Sequence, residues 1–551
     1  ARARKKHGGI VGSIDTVKPT KKERALLKSF AALKNDGIGY IDTGSVEDPK
    51  RLFVQLAKTT ASKKQQTLFL VPEITLLPEL TASLSKYVPR AKIAVLHSKL
   101  PDGQYFEVWE KIRDGSADII LSTRQGLFAP FKNLGLVALL EEQDESYKQW
   151  DMSPRYDGKR VAERLAALHG AKLLFVSGTP SLESHHRIVE KTCVPITPLS
   201  HTPALAGRLE VVNLRLERFK KNYSPLSLAL IDAVRETLGQ SKQILLYIHR
   251  QGMNAFSVCE HCKNIFRCPD SGHALTGSRD GTFRCLGCSY KTGSFPSCPH
   301  CGHLSFRHIG FGTDRVERET AKLFPGARIF RADGSTMRTS DSAEQLYEKV
   351  SHGGIDILIG TQMILKGPTL PKLALVGMID ADSLLTFPDF RADEKLFQIL
   401  SRAARQTSIA DPSGRLGKVI IQTFHPESSF LRNIMTLGDR FTERMLAERQ
   451  DLSYPPFSRF VSITCQGKTE AEAQKSAEAI RISLQNLFPK GDPRYRISTP
   501  QASRKSHLRK IPGSSLHMRI PAEEPLADTI RILLKKISSA CIIDVDPLTL
   551  S

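Results

Sequence analysis

No stretch of this sequence stays apolar long enough to cross a bilayer as a helix, and nothing at its start has the charged, apolar and cleavable succession of a secretion signal. A helical membrane protein and a secreted protein are set aside, leaving a cytoplasmic chain with no membrane partner as the expectation. Acidic residues are scarce: 57 Asp and Glu face 79 Lys and Arg, a formal net charge of +22. So large an excess favours a polyanionic partner, and nucleic acid is the expected one. Part of it is concentrated in the opening segment through Lys28 and in 489–513, although solvated surface charge is the plainer reading of any one run. Cysteine is rare outside one segment. Seven of the ten fall between Cys259 and Cys301, and Cys193, Cys465 and Cys541 read as small buried apolar residues. The first residue is Ala and the opening ARARKKHGG reads as a linker, so a preceding region is expected outside this chain. At 551 residues, three or four domains are expected rather than one core.

A more telling lack is local. The stretch YIDTGSVEDPKRL, Tyr40–Leu52, has the layout of a phosphate-cradling loop: an apolar strand, a Thr-Gly-Ser turn and a helix start. Such a loop needs glycines and a Lys-Ser/Thr pair, so that backbone N–H groups and one cation meet the polyanion. Val46, Glu47 and Asp48 stand at those places instead, and the carboxylates of Glu47 and Asp48 repel a triphosphate.

What is present in quantity is paired cysteine. Cys259/Cys262, Cys285/Cys288 and Cys298/Cys301 are three C-x-x-C pairs, and Cys268 is half of a fourth whose second place is held by Ser271. Each C-x-x-C turn can aim two thiolates at one metal, and two turns close a tetrahedron, so zinc is the expected cofactor and its role structural. Disulfides do not suit a reducing cytosol. Seven thiolates are one short of two four-cysteine sites. The second site is completed by His273 or water, or is weak or empty, and spacing permits either sequential or nested pairing.

From 66 to 185 short apolar strands alternate with helical stretches, the pattern of a parallel α/β sheet covered on both faces: 67–72, 91–97, 117–123, 134–140 and 171–178. The alternation recurs after 241, at 242–248, 327–333, 355–361, 373–380 and 417–424, with the cysteine segment interrupting just after the first of these strands. A final α+β region follows. Two tandem α/β lobes with a metal-binding insertion suggest a nucleic-acid translocase motor.

Local strings narrow this further. LVPEI (70–74), TRQGLFAPFKNLGL (123–136), EEQDESYKQ (141–149), PRYDGKRVA (154–162), GTPSLES (178–184), GTDRVERE (312–319), DILIGTQMILKG (356–367), PDFRADEKLFQ (388–398), SYPPFSRF (453–460) and DVDP (544–547) occur in one order along the chain. In these the chain resembles the PriA family of replication-restart helicases of superfamily 2. The resemblance implies two RecA-like parallel-sheet lobes, a zinc-binding insertion in the second lobe and a C-terminal α+β domain. It places a basic linker at 1–22, the first lobe at 23–190, a connector at 191–240, the second lobe at 241–254 and 303–435, the insertion at 255–302 and the last domain at 436–551. It implies nested zinc binding by Cys259, Cys262, Cys298 and Cys301, with a second site at Cys268, Cys285 and Cys288. It also implies forked or single-stranded DNA and primosome and replisome-loading proteins as partners of a monomer.

The departures fall on the chemistry of ATP. The family's phosphate loop lies on Ile41–Asp48, where only Thr43, Gly44 and Ser45 survive. Its D-E-E-H box lies on Leu140–Gln143, so the aspartate that organises Mg²⁺ and the histidine are replaced by Leu140 and Gln143. Its last motif, Q-x-A-G-R-A-G-R, lies on Arg402–Ile409 and loses its glutamine, glycines and both arginines, and Thr369 stands where the family has aspartate. A missing arginine finger alone is worth about 10³–10⁵ in rate. The expectation is a DNA-binding scaffold with degenerate ATPase motifs, no catalytic residues and no bound ATP. The alternatives are an active ATP-dependent 3'-5' helicase with divergent motifs and a zinc-containing single-strand nucleic-acid-binding protein.

Overall fold

The structure is a computed structural model. It describes 18–548 except 47, 200–204, 206–207, 250–255, 260, 263, 265, 267, 270–274, 278–281, 286–289, 294–296, 305, 310–311, 334–335, 337–344, 347, 351, 362–363, 366–369, 386–388, 410–416, 438–439, 489–491, 493, 503–510, 523–527 and 529–540. Glu47, Ser271, His273, Cys288 and Thr369 therefore lie outside the described residues, as does most of the basic run after 502.

Seven parallel strands form the first sheet: β1 Ile38–Asp42, β2 Gln66–Leu70, β3 Ile93–Leu96, β4 Ile119–Ser122, β5 Leu134–Leu140, β6 Lys172–Ser177 and β7 Val194–Pro195, in the order β3-β4-β2-β5-β6-β1-β7. Parallel neighbours need crossovers, and helices Pro49–Ala61, Leu77–Leu84, Asp102–Asp114, Gly158–His169 and Leu182–Val189 supply them. Alternate residues of each strand go to opposite faces. Ile41, Phe69, Ala138 and Val176 enter one apolar cluster, while Tyr40, Leu68, Val137 and Phe175 enter the other. Burial on both faces explains why these strands read as unbroken apolar runs.

The second sheet is built from β8 Leu209–Asn213, β9 Gln243–Tyr247, β15 Ile329–Ala332, β16 Ile357–Gly360, β17 Leu373–Met378 and β18 Lys418–Thr423, all parallel, in the order β15-β16-β9-β17-β18-β8. It too carries a cluster on each face, with Leu245, Tyr247 and Val376 on one and Ile244, Leu246 and Leu375 on the other. The stretch 191–240, a connector by sequence, supplies an edge strand to each sheet, β7 to the first and β8 to the second. Between β9 and β15 the chain makes a separate antiparallel sheet of β10 Phe256–Cys259, β11 Leu275–Gly277, β12 Phe283–Cys285, β13 Lys291–Thr292 and β14 Phe306–Ile309, ordered β13-β12-β11-β10-β14.

The C-terminal region opens with helix Phe441–Asp451, which packs on Leu182–Val189 of the first lobe. Its sheet is antiparallel, with β19 Ser458–Gln466 between β22 Gly513–Pro521 and the edge strand β23 Cys541–Val545; β20 Arg496–Ile497 and β21 Gln501–Ala502 extend it beyond β22. Helix Glu470–Gln485 covers one face through Ala477, Ile480 and Leu484. Among the described residues no helix is long and apolar enough to cross a membrane.

Candidate functional site

At the end of β1 the chain does turn as a phosphate loop would, but Asp42, Ser45 and Asp48 spend their side chains within the protein. The Asp42 carboxylate accepts from Gly44 N at 2.7 Å, and Ser45 Oγ donates to the Pro198 carbonyl at 2.6 Å. Val46 packs against the first-lobe core. Asp48 caps helix Pro49–Ala61, accepting from Arg51 N at 3.1 Å, and Pro49 in the first turn offers no N–H. The positive end of that helix is thus answered by the chain's own carboxylate. Both nearby cations already have partners. Lys50 is paired with Glu79, and Arg51 with Glu23 at 2.9 Å and the Lys18 carbonyl at 2.7 Å.

Across the cleft, helix Ala392–Ile409 presents two arginines to the first lobe. Arg402 Nη1 reaches Glu141 Oε2 at 3.0 Å, and Gln143 Nε2 donates to the same oxygen at 2.8 Å. Glu141 holds a left-handed backbone, φ 53°, directly after β5, a strained conformation for a side chain of its size. Arg405 donates to the Gly178 carbonyl and, at 2.6 Å, to Thr179 Oγ1. A Cβ on Gly178 would stand 2.6 Å from the Arg405 guanidinium carbon, so the gap is filled. Burial presses the Arg405 pKa below its usual value, opposed by the Glu141 and Asp42 carboxylates. The neighbouring Glu142 is fully buried and fully engaged, by Lys159 Nζ at 2.7 Å, Ser181 N at 2.7 Å and Ser181 Oγ at 3.0 Å. Leu140 lies in the apolar cluster. What these motifs lack is plain in the sequence. The motifs could not show what Arg402 and Arg405 hold, because their partners lie far away along the chain.

Four of the seven candidate metal ligands come together. Cys259, Cys262, Cys298 and Cys301 have sulfurs all within 4.8 Å of one another, with Cys259–Cys301 at 3.5 Å and Cys262–Cys298 at 3.7 Å. Thiolates held about 2.3 Å from one tetrahedral ion stand about 3.8 Å apart, so the cluster fits such an ion. The Cys298 sulfur also accepts from His300 N at 3.4 Å, a backbone contact that orients a ligand thiolate. Cys268 is buried in the small core with Phe266, Leu275 and Phe283. Cys285 ends β12, and Cys288 with His273 lies outside the described residues, so no second group of ligands is described.

The C-terminal residues close the arrangement. Near the end of β23, Asp544 pairs with Lys148 at 2.8 Å and Arg155 at 3.1 Å, and just past the strand Asp546 pairs with Arg459 at 2.5 Å and Arg160 at 3.4 Å. Lys148 and Asp544 are nearly inaccessible, and Lys148 Nζ also donates to the Arg155 and Val545 carbonyls at 2.9 and 2.6 Å. Glu394 of the second lobe accepts from Leu182 N at 3.0 Å and from Arg449 Nη2 at 2.6 Å. A cavity of about 480 Å³ lies where the two lobes and this domain meet, with Glu183, Lys395 and Asp546 in its wall.

No family model matches the chain. It is 33% identical over 450 residues to the replication restart protein PriA of Synechocystis, covering 80% of this chain and 54% of that protein. To the PriA of Treponema pallidum it is 32% identical over 488 residues, covering 87% of this chain and 71% of that protein. The chain thus spans about half the length of the first relative and more of the second. A solved structure of RecG bound to a three-way DNA junction is 14% identical, with a TM-score of 0.42, covering 79% of this chain and 50% of that one.

Proposed function

Because this chain belongs to the PriA family of replication restart proteins, we propose that it is a DNA-binding scaffold for replication restart that works without ATP. It binds forked or single-stranded DNA as a cytoplasmic monomer and recruits primosome and replisome-loading proteins. The observation that carries the reading is the interlobe contact. Where the family's ATPase motifs face each other, Arg402 holds Glu141 and Arg405 holds Gly178 and Thr179. The lobes are therefore joined by the chain's own ion pair and hydrogen bonds. Catalysis of phosphoryl transfer rests on cations aimed at the transferring phosphate, and Arg402 and Arg405 are spent on protein oxygens instead.

Zinc is the proposed metal at Cys259, Cys262, Cys298 and Cys301, where it supplies folding energy to the insertion. A weaker second site at Cys268, Cys285 and Cys288 belongs to the same proposal. Affinity for DNA comes from the basic surface. Each neutralised phosphate releases counterions, so log K falls with log salt by about 0.9 per contact on duplex DNA.

The test is titration of the full chain with forked and with linear DNA, with and without ATP, alongside an ATPase assay. The expected result is a preference for forks, a steep salt dependence and no change or turnover with ATP. Hydrolysis stimulated by forked DNA and abolished by Glu141→Gln would overturn the reading in favour of an active helicase. Equal affinity for linear single strands would favour a general nucleic-acid-binding protein.

A further inference from the structure

The edge strand β23 runs antiparallel to β19 and leads straight into the residues that clasp the first lobe. Cys465 and Cys541 are directly opposed in that ladder, and their sulfurs are 2.8 Å apart. Opposed residues in an antiparallel pair alternate between those that exchange backbone hydrogen bonds and those that do not, the latter with closer side chains and Cα atoms about 4.5 Å apart. Asp546 N donates to the Phe460 carbonyl at 2.8 Å, one position beyond the Val461–Val545 pair. Counting inward in steps of two, the bonded pairs are 460/546, 462/544 and 464/542, which leaves Cys465 and Cys541 on the non-bonded set. That separation lies within the range from which a disulfide closes without backbone movement.

We propose that Cys465 and Cys541 are a redox modification site, closing a reversible cross-strand disulfide that pins β23 to β19. Cys541 is part-exposed and Cys465 fully buried, which assigns their order. The hydrogen bond between the sulfurs holds the Cys541 thiol below its usual pKa and Cys465 above it, so Cys541 is the better nucleophile. With hydrogen peroxide as oxidant, the Cys541 thiolate attacks one oxygen and the O–O bond breaks. Hydroxide leaves and is protonated, and Cys541 becomes a sulfenic acid. The Cys465 thiolate then attacks that sulfur, the S–S bond forms, the S–O bond breaks and a second water departs. Two thiols have lost two protons and two electrons, and one peroxide has become two waters. A dithiol reductant reverses the bond.

The consequence lies three residues on. Asp544 and Asp546 hold Lys148, Arg155 and Arg160, and the Pro547 carbonyl accepts from Arg391 at 3.2 Å. A covalently anchored β23 keeps that clasp in place.

The test treats the full metal-loaded chain with hydrogen peroxide, alkylates remaining thiols, and maps the digest by mass spectrometry. Expected is a cross-linked peptide pair joining Cys465 to Cys541, lighter by two hydrogens, released by dithiothreitol and lost in Cys541→Ser. Amide exchange across Cys541–Val545 should slow about tenfold on oxidation of the parent chain, and not in the variant. Recovery of both cysteines as alkylated thiols, or of Cys541 as sulfinic acid without the cross-link, overturns the proposal. The mapping on the unmutated chain decides the matter even if the variant fails to fold.

Discussion

Asp48 exchanges one anion for another: its carboxylate takes a helix N–H in a place where a nucleotide-binding relative would offer backbone to phosphate. Asp48→Ala should lower stability by about 1 kcal/mol in urea unfolding, the usual effect of losing an N-cap. It should bring no gain in ATP affinity, because Lys50 and Arg51 remain paired with Glu79 and Glu23. The substitutions at Val46, Glu47 and Leu140 are legible in the sequence as losses, since a motif states which residue types its chemistry needs. The replacements' own work is not. Leu140 joins the core, Val46 packs against it and Arg405 becomes a bridge, and each depends on atoms brought close only by the fold.

At the level of elements, the central strands announce themselves because both faces are buried, while β8 is hidden. Leu209–Asn213 is an edge strand with an exposed Glu210, so it lacks the unbroken apolar run of β9 or β17. The cysteine pairs were equally plain, but their partnership was not, since C-x-x-C spacing fits sequential and nested pairing alike. The structure brings the outer pairs together, with β11 and β12 as a hairpin between them. Among its described residues that insertion buries a handful of apolar side chains of its own. Removing metal with a chelator should therefore withdraw folding energy on the order of 10–16 kcal/mol from this segment. Hydrogen exchange should then accelerate through β10–β14 while β9, β16 and β17 keep their protection. Equal loss in both sheets would mean that the insertion and the lobe unfold as one.

Across the whole molecule, the last described residues act at a distance from their own sheet. The Lys148–Asp544 pair is out of water and its ammonium is satisfied on several sides. Asp544→Ala leaves that cation buried and unpaired, and should cost about 3–5 kcal/mol. The loss should appear as a separate, earlier thermal transition of the C-terminal domain and as faster proteolysis there. A single unchanged transition would mean that the clasp contributes little. The DVDP string was visible in the sequence, yet nothing in four residues could indicate that Lys148 and Arg155, some 390 positions earlier, were its partners.

The order of strands in the second sheet also sets a timetable for synthesis. β9 lies between β16 and β17, and β8 at the edge pairs with β18. A nascent chain that has made β9 must extend by more than 100 residues before either neighbour exists, and β8 waits longer still for Lys418–Thr423. The cysteine sheet, by contrast, has all its strands once Ile309 has left the ribosome. Domains tend to fold as they emerge, so the metal-binding segment can close while the apolar strand ahead of it is still unpartnered. With or without metal, that strand stays exposed to other chains until Ile357–Gly360 has been made.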